Sequence, residues 1–334
     1  MDRPTTSRAP IVPVIGGGPA GMSCALWLHN YALRPVIIEQ EQALGGMARR
    51  SPYADPWLLG RPNETTREHA AAFAAHIRRV GVETWLDAQP QHVRRECGGF
   101  RLEVAVAGRA EAQPLSGPAV VIATGTRFHG EEWLDTITNA RRLAAAGRVH
   151  LGPTAVGEPD ADPGAQVLVI GGGDNAFEVS GILLEKGVSV TIVMRSKAPR
   201  AQPLLVERVR QHAASGKARV LAERTVAALD DAGVRVRVRL DDGSDIIADR
   251  VVLLFGYRPN NDQPWLAGLA LEKDADGYLL VDGNIETSCR GVFAVGDVAN
   301  PVQPCIPTAV AAGTMAAREI EKRLARNEAL VQSP

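Results

Sequence analysis

Gly16, Gly18 and Gly21 stand in the spacing G-x-G-x-x-G directly after the apolar run Val12-Pro13-Val14-Ile15. An apolar strand, then a glycine turn, then a helix is how a chain brings its backbone against a pyrophosphate. The first glycine makes the tight turn, the second lets the phosphate approach, and the third lets the helix pack close to the strand. Pro19 and Ala20 would open that helix, whose N-terminus presents free N–H groups and a partial positive charge. Glu39 closes the next apolar run, Val36-Ile37-Ile38, where an acid would accept from a ribose hydroxyl. Glycine turns are often only structural; the strand before this one and the acid after it point to a bound dinucleotide.

The same unit occurs a second time. Gln166-Val167-Leu168-Val169-Ile170 leads into Gly171-Gly172-Gly173-Asp174-Asn175-Ala176, and the strand Val188 to Val193 follows at the matching distance. No acid ends that strand. Met194-Arg195-Ser196-Lys197 comes instead, with Arg200 close by, and basic residues there suit a 2′-phosphate. The first site thus suits FAD or NAD and the second NADPH, an arrangement for moving electrons from a nicotinamide to a flavin. Glu178, in the first turn of the second helix, is a candidate for placing the nicotinamide.

The rest of the chain must position these turns. Helices are predicted over Pro19 to Asn30, Arg67 to Val80 (capped by Thr65 or Thr66), Asn175 to Lys186, Pro203 to Ala214 and Thr308 to Ala325. Strands are predicted at Val82 to Leu86, Arg101 to Val106, Ala119 to Ala123, Val234 to Leu240, Asp249 to Phe255 and Gly291 to Val295. Leu44-Gly45-Gly46-Met47 and Gly256-Tyr257-Arg258-Pro259-Asn260 read as turns, and Ser51 to Pro62 as a loop. The alternating Val and Arg of 234–240 read as a solvated edge. Arg127 to Gly164 is irregular, with Pro153, Pro159 and Pro163, and is where the chain crosses into the second unit. The fold class is α/β, with two Rossmann-like, three-layer dinucleotide-binding domains and the NAD(P)H domain inserted into the FAD domain. The expected boundaries are 1–126 and 256–334 for FAD and 127–255 for NAD(P)H.

With 334 residues the chain can bury two cores, and its formal charge of −1 gives no reason to expect nucleic acid or an anionic membrane. Its apolar runs are far shorter than a bilayer span, and Met1 to Pro10 lacks the apolar centre of a signal peptide and reads as a frayed tail. Cys24, Cys97, Cys289 and Cys305 show no paired spacing, which suits a reducing cytoplasm. The histidines at 29, 69, 76, 92, 129, 150 and 212 show no metal spacing, and no metal is expected. His29, His69 and His76 read as surface residues of helices, Cys24 as core and Cys97 as a surface turn residue. His129, after the Ala-Thr-Gly turn, keeps both a structural and a functional reading.

Taken together, Gly16 to Gly21, Ala123-Thr124-Gly125, Gly171 to Ala176, Gly256 to Asn260 and Gly291 to Val298 resemble the thioredoxin-reductase branch of the pyridine nucleotide–disulfide oxidoreductases. The resemblance runs from about Ile11 to the last helix. It implies FAD on the first unit and NADPH on the second. It implies that Gly296 and Asp297 hold the ribityl and pyrophosphate region, and that Thr308 and Ala309 offer backbone N–H groups to the flavin pyrimidine. It matches Gly46 and Met47 to the loop beside the isoalloxazine, and Arg195 and Arg200 to the 2′-phosphate arginines, with Ser196 replacing a further arginine. Gln40 and Pro90 join the expected FAD contacts, and Gly256 those of NADPH. It further implies domains that rotate during turnover and a homodimer.

One departure bears on activity. Thioredoxin-reducing members of that family carry Cys-x-x-Cys just before the second glycine-rich strand, and this chain has Gly152-Pro153-Thr154-Ala155 there. The expected activity is therefore electron transfer from NADPH through FAD to an acceptor other than thioredoxin: a ferredoxin or flavodoxin, a quinone, oxygen, or a small disulfide approached through Cys305. Cys305 precedes the helix that would face the flavin, where a thiol's pKa can fall; it also reads as a small packed loop residue. The alternative to an enzyme is a flavin-binding redox sensor or partner-binding module with little NADPH turnover.

Overall fold

The structure is a computed structural model that describes residues 9–153 and 162–326. The readings made for most of the N-terminal tail and for Thr154, Ala155 and Pro159 fall outside those residues. The chain divides into two compact units, Met1–Arg127 with Arg258–Pro334, and Phe128–Tyr257.

In the first unit β1 (Ile11–Ile15), α1 (Pro19–Asn30), β2 (Arg34–Ile38), α2 (Thr66–Val80) and β3 (Glu83–Trp85) begin a doubly wound half. An antiparallel sheet of β4 (Ala88–Glu96), β5 (Gly99–Val106) and β6 (Gln113–Gly117) follows, then β7 (Val120–Ile122) and β8 (Thr126–Phe128). The parallel sheet runs β18-β7-β1-β2-β3, where β18 (Val292–Ala294) returns late in the chain and precedes α7 (Ile306–Ala325). Its strands β18, β7 and β1 are apolar throughout because both faces are covered. Val12, Val14, Ile37, Val121 and Phe293 face a core shared with Leu28, Ile77 and Ile320 of α1, α2 and α7. Ile15, Val36, Ile38, Val120, Ile122 and Ala294 face Val93, Phe100, Leu102, Val104 and Leu115 of the antiparallel sheet. This is the expected three-layer stack. Helix α2 opens on the Thr65–Glu68 capping box, which satisfies orphan donors at its start.

The second unit contains α3 (Trp133–Thr136), α4 (Ala140–Ala145), β9 (Val149–Leu151), β10 (Gln166–Ile170), α5 (Asp174–Glu185), β11 (Ser189–Met194), α6 (Pro203–Arg210) and β12 (Ala218–Ala222). It continues through β13 (Val226–Ala232), β14 (Arg235–Leu240), β15 (Asp245–Ala248) and β16 (Arg250–Leu253), and ends near β17 (Tyr257–Pro259). Its parallel sheet runs β12-β11-β10-β16-β9 beside an antiparallel sheet β13-β14-β15. Leu168, Ile170, Val193, Val251 and Leu253 pack on Leu143 of α4 and on Leu229, Val236 and Val238 of the antiparallel sheet. Among the described residues no helix is long and apolar enough to cross a membrane.

Four readings are corrected. The irregular stretch 127–164 holds α3, α4 and the edge strand β9, which pairs with β16. The turn at 256–260 contains the strand β17, paired with β8 where the chain crosses between units. The Val/Arg strand β14 is not an edge but the middle of its sheet, its arginines on the wet face, with Arg239 paired to Asp245. Helix α6 stops at Arg210 rather than Ala214.

Candidate functional site

Strand β1 runs into the first glycine turn. Gly16 has φ +110°, and a Cβ on it would lie 2.2 Å from the Ala123 carbonyl oxygen, so only glycine fits. Gly18 is the N-cap of α1, with no side-chain cap, and a Cβ there would meet nothing within 4 Å. The amides of Ala20 and Gly21, in the first turn after Pro19, have no helical acceptor. The turn therefore keeps open space and free donors on one side only. Glu39 is 6% exposed. Its carboxylate accepts from the Gly17 N–H at 2.7 Å and the Glu41 N–H at 2.9 Å. Burial outweighs these bonds and pushes its carboxyl above the ordinary value. Gln40 beside it is exposed, and Pro90 is buried in β4, two residues after Ala88 donates to the Glu39 carbonyl.

Other segments close on the same turn. The Gly45 N–H donates to the Gly17 carbonyl at 2.8 Å, and a Cβ on Gly46 would lie 3.2 Å from Gly18 Cα. The residues read as a turn at 44–47 lead straight into a 3-10 helix over Gly46–Arg50, which contains Met47. A Cβ on Gly296 would lie 2.7 Å from that of Ala20 and 3.7 Å from that of Ala309, so β18's exit, α1 and α7 converge. Thr124 Oγ1 donates to the Asn260 carbonyl at 2.6 Å, Asn260 Nδ2 donates back to the Thr124 carbonyl, and the Asn260 N–H donates to the Gly125 carbonyl. Asn260 was legible only as a turn residue.

Asp297 is the electrostatic anomaly of this unit. Burial pushes its carboxyl up to about 6, and among the described residues no hydrogen bond reaches it. Helix α7 begins at Ile306, not Thr308, with Cys305 as N-cap. The Ala309 N–H donates to the Cys305 carbonyl at 3.0 Å. Of the expected pair, only the Thr308 amide lacks a helical acceptor. The half-buried Cys305 thiol lies 3.4 Å from Thr308 Oγ1. Cys24 is fully buried, which raises its thiol strongly, whereas Cys97 is exposed in the β4–β5 hairpin. His69 corrects the surface reading: it is 1% exposed, with Nδ1 3.4 Å from Glu64.

The second unit repeats the geometry with different charges. Gly171, with φ +154°, comes so close to β16 that a Cβ would lie 2.4 Å from the Leu254 carbonyl oxygen. Ala176 takes the third position of the motif, 3.3 Å from that Cβ site. Gly173 is the uncapped N-cap of α5 and also faces open space. The Asp174 carboxylate accepts from Gln202 N and Nε2 at 2.7 and 3.1 Å, which ties it to the following loop. Asn175 is partly exposed next to it. Glu178 stands in the second turn of α5 and feels Arg208. Gly256 accepts from the His129 N–H at 2.9 Å, close to the crossing, and His129 Nδ1 lies 3.5 Å from Glu132.

The loop after β11 is held against this glycine turn. The Arg200 N–H donates to the Gly172 carbonyl at 2.7 Å, Ser196 Oγ donates to the Ala198 carbonyl, and the Glu223 N–H donates to the Ser196 carbonyl. Arg195, Lys197 and Arg200 are exposed, and among the described residues their side chains have no ion-pair or hydrogen-bond partner. Elsewhere in this unit Arg148, Arg208 and Arg239 are paired with Asp231, Glu185 and Asp245.

Known proteins resemble this chain over nearly its whole length. Residues 11–316 match the family described as pyridine nucleotide-disulphide oxidoreductase. A ferredoxin–NADP reductase of Ignicoccus hospitalis is 28% identical over 316 residues, 91% of this chain and 94% of its own. A thioredoxin reductase of Rickettsia typhi is 24% identical, covering 94% of this chain and 97% of its own. The solved thioredoxin reductase of Lactococcus lactis matches the fold with a TM-score of 0.79 at 23% identity, over 95% of this chain and 99% of that one. The chain belongs to the pyridine nucleotide-disulphide oxidoreductase family, as an FAD- and NAD(P)H-dependent oxidoreductase of its thioredoxin-reductase-like branch.

Proposed function

We infer that the first unit holds FAD, that the second holds NADPH, and that electrons leave for a ferredoxin-like carrier rather than thioredoxin. The observation that carries the assignment of the two cofactors is the contrast in charge around two similar glycine turns. In the first, a buried carboxylate, Glu39, stands where a ribose hydroxyl would donate; in the second, the exposed cations Arg195 and Arg200 stand where a phosphate would sit.

The donor chemistry fits FAD. The amides of Ala20 and Gly21 and the open face of Gly18 suit a pyrophosphate. Asp297, half-buried and unbonded within the described residues, is an acceptor that polyol hydroxyls would satisfy. The Thr308 amide, at the positive end of α7, would stabilise negative charge on the pyrimidine ring. Gly46, Met47, Pro90, Ala123, Thr124 and Gly125 would wall the same ligand. In the second unit the amides of Asp174 and Asn175 would face the pyrophosphate, while the Asp174 carboxylate is held aside by Gln202. When bound, FAD supplies the two-electron to one-electron chemistry; the chain supplies binding, charge and exclusion of water.

The choice of acceptor rests on the cysteines. They stand at 24, 97, 289 and 305, so no pair has the spacing a thioredoxin-reducing dithiol needs. A relative of similar length, 28% identical, bears the name ferredoxin–NADP reductase. The test is to purify the protein, release its flavin by denaturation, and offer NADPH with thioredoxin or with a ferredoxin. We expect FAD, ferredoxin reduction and no thioredoxin dithiol. Release of FMN, or thioredoxin reduction at an ordinary enzymatic rate, would overturn the reading.

A further inference from the structure

We propose that two loops flanking the start of α7, 51–65 and 300–305, form the docking surface for a small acidic one-electron carrier protein. Trp57, Leu59 and Val302 are its apolar centre. The proposal rests on the reading that electrons leave for a ferredoxin-like carrier.

Among the described residues, Leu59 (99% exposed), Val302 (89%) and Trp57 (54%) are the most exposed large apolar side chains of the first unit. Single exposed apolar residues are ordinary, but these three gather around one feature, the N-terminus of α7. Leu58, between Trp57 and Leu59, packs with Phe73 and Val310 onto Ala48, Ala70 and Ile306, the first residue of α7. That anchor leaves its two neighbours outward. Val302 precedes Ile306 in the loop that leads into the same helix. The surface therefore adjoins the helix end whose Thr308 amide is read as facing the flavin, and a carrier must bring its redox group close to that place to be reduced. One NADPH supplies two electrons, so two carriers dock in turn and each leaves with one, while the proton of the hydride goes to solvent.

Both loops are braced. In the first, the Asp55 N–H donates to the Glu64 carbonyl at 2.9 Å, the Thr66 N–H to the Tyr53 carbonyl at 3.0 Å, and the Trp57 N–H to the Asp55 carboxylate at 3.2 Å. In the second, Asn300 Nδ2 and Thr308 Oγ1 donate to the Gln303 carbonyl at 2.9 and 2.8 Å. Apolar side chains on such frames are ordered before a partner arrives, which lowers the entropy cost of docking. The charges around them select the partner. Over residues 46–68 and 300–308 the exposed charged residues are Arg50, Arg61, Arg67 and a single acid, Glu68. Glu68 is engaged in the capping box of α2, and the half-buried Glu64 accepts from Arg61 Nε at 2.7 Å. Among the described residues no acid pairs with Arg67. An apolar centre with arginines at its rim fits a partner whose own apolar contact is ringed by carboxylates.

The test is calorimetric titration of the FAD-loaded, full-length protein with an oxidised, acidic two-iron ferredoxin at low and at moderate salt. Ferricyanide, a small acceptor that needs no docking surface, is reduced with NADPH in parallel, and sedimentation gives the oligomeric state. The double variant Leu59→Ser with Val302→Ser is expected to weaken ferredoxin binding about ten-fold. Arg50→Gln with Arg67→Gln should weaken it at low salt and flatten its salt dependence. Val234→Ser, at an exposed apolar residue of the second unit, should change nothing. Flavin content and ferricyanide reduction should be the same in all of them, because no substituted residue belongs to either glycine turn. If the apolar double variant binds ferredoxin as the unaltered protein does, this inference fails and the carrier reading stands. If that variant instead splits a dimer and leaves ferredoxin affinity unchanged, the surface joins two copies of the chain and the inference also fails. If the unaltered protein reduces ferricyanide but neither binds nor reduces ferredoxin, the carrier reading and the inference fall together.

Discussion

Gly16 and Gly18 are two residues apart with opposite surroundings, and that contrast separates folding from binding. A Cβ at 16 lands 2.2 Å from a backbone carbonyl, whereas one at 18 meets no atom of the chain within 4 Å. Gly16→Ala should therefore lower stability by more than about 1 kcal/mol. Gly18→Ala should melt like the unaltered protein when flavin-free and yet fail to retain FAD. Melting curves of the flavin-free proteins and the yield of bound flavin check both; a Gly18→Ala protein that holds FAD normally would show that the open face is not the binding face. Asp297 gives a second test. Its carboxyl moves from an ordinary 3.8 to about 6 in the folded chain, so between those values the folded state holds a proton that the unfolded state has released. Its contribution to stability is then present below the lower value and lost as pH rises through the upper one. The stability difference between the flavin-free protein and Asp297→Asn should fall with pH across that window, and a level difference would argue against a desolvated, unbonded carboxylate. At this scale the glycines and acids were legible because their spacing is local. The burial of His69 and the pairing of Thr124 with Asn260 were not, because they depend on segments distant in the chain.

Between elements, α1 and α7 pack closely in the first unit. A Cβ on Gly313 would lie 2.3 Å from the Ala20 carbonyl oxygen and 2.8 Å from the Cys24 nitrogen, and Ser23 Oγ donates to the Val310 carbonyl at 2.8 Å. Both helices bring their N-termini to the candidate flavin site, so their spacing sets the distance between the Ala20 and Thr308 amides. Gly313→Ala should push them apart, costing about 1–3 kcal/mol and weakening FAD retention. Ser23→Ala removes only the hydrogen bonds to the Val310 carbonyl and Thr314 Oγ1 and should cost about 1–2 kcal/mol with flavin retained. Fluorescence titration of the flavin-free variants with FAD separates them; equal retention would show that helix spacing does not govern the site. Long elements with caps or strong patterns were legible in the chain: α1 follows Pro19, and α2 follows Thr65 with Glu68 three residues on. The missed elements include the nine-residue β4 and the seven-residue β13, each held by antiparallel pairing with the strand that follows it, as well as short ones. Strand β9 has no period of its own and exists because β16 pairs with it, and β17 exists because β8 does. The place of β14 in the middle of its sheet follows from partners on both sides, which its own alternation does not reveal.

The whole molecule is one doubly wound unit interrupted by another, and the interruption is built to be removable. Strands β8 and β17, which carry the chain out and back, are hydrogen-bonded neighbours, and the His129 N–H donates to the Gly256 carbonyl at 2.9 Å. The ends of the inserted unit therefore lie side by side, and joining or cutting them adds little loop-closure entropy. The parallel sheet and the antiparallel sheet of the insert share one buried cluster, Leu168, Val193, Val236 and Leu253 among them, drawn wholly from that unit. The first unit likewise fills both faces of its sheet from its own residues. The fragment 128–257 should consequently fold alone, unfold cooperatively in urea, and bind adenosine 2′,5′-bisphosphate as the full chain does. The complementary protein, with Arg127 joined to Arg258 through a short glycine linker, should retain FAD. Its flavin should no longer be bleached by NADPH, though dithionite should still bleach it. A fragment that unfolds without a cooperative transition would mean that its core needs the rest of the chain. A shortened protein still reduced rapidly by NADPH would mean that NADPH reaches the flavin without the second unit, and the assignment of NADPH to the second glycine turn would fail.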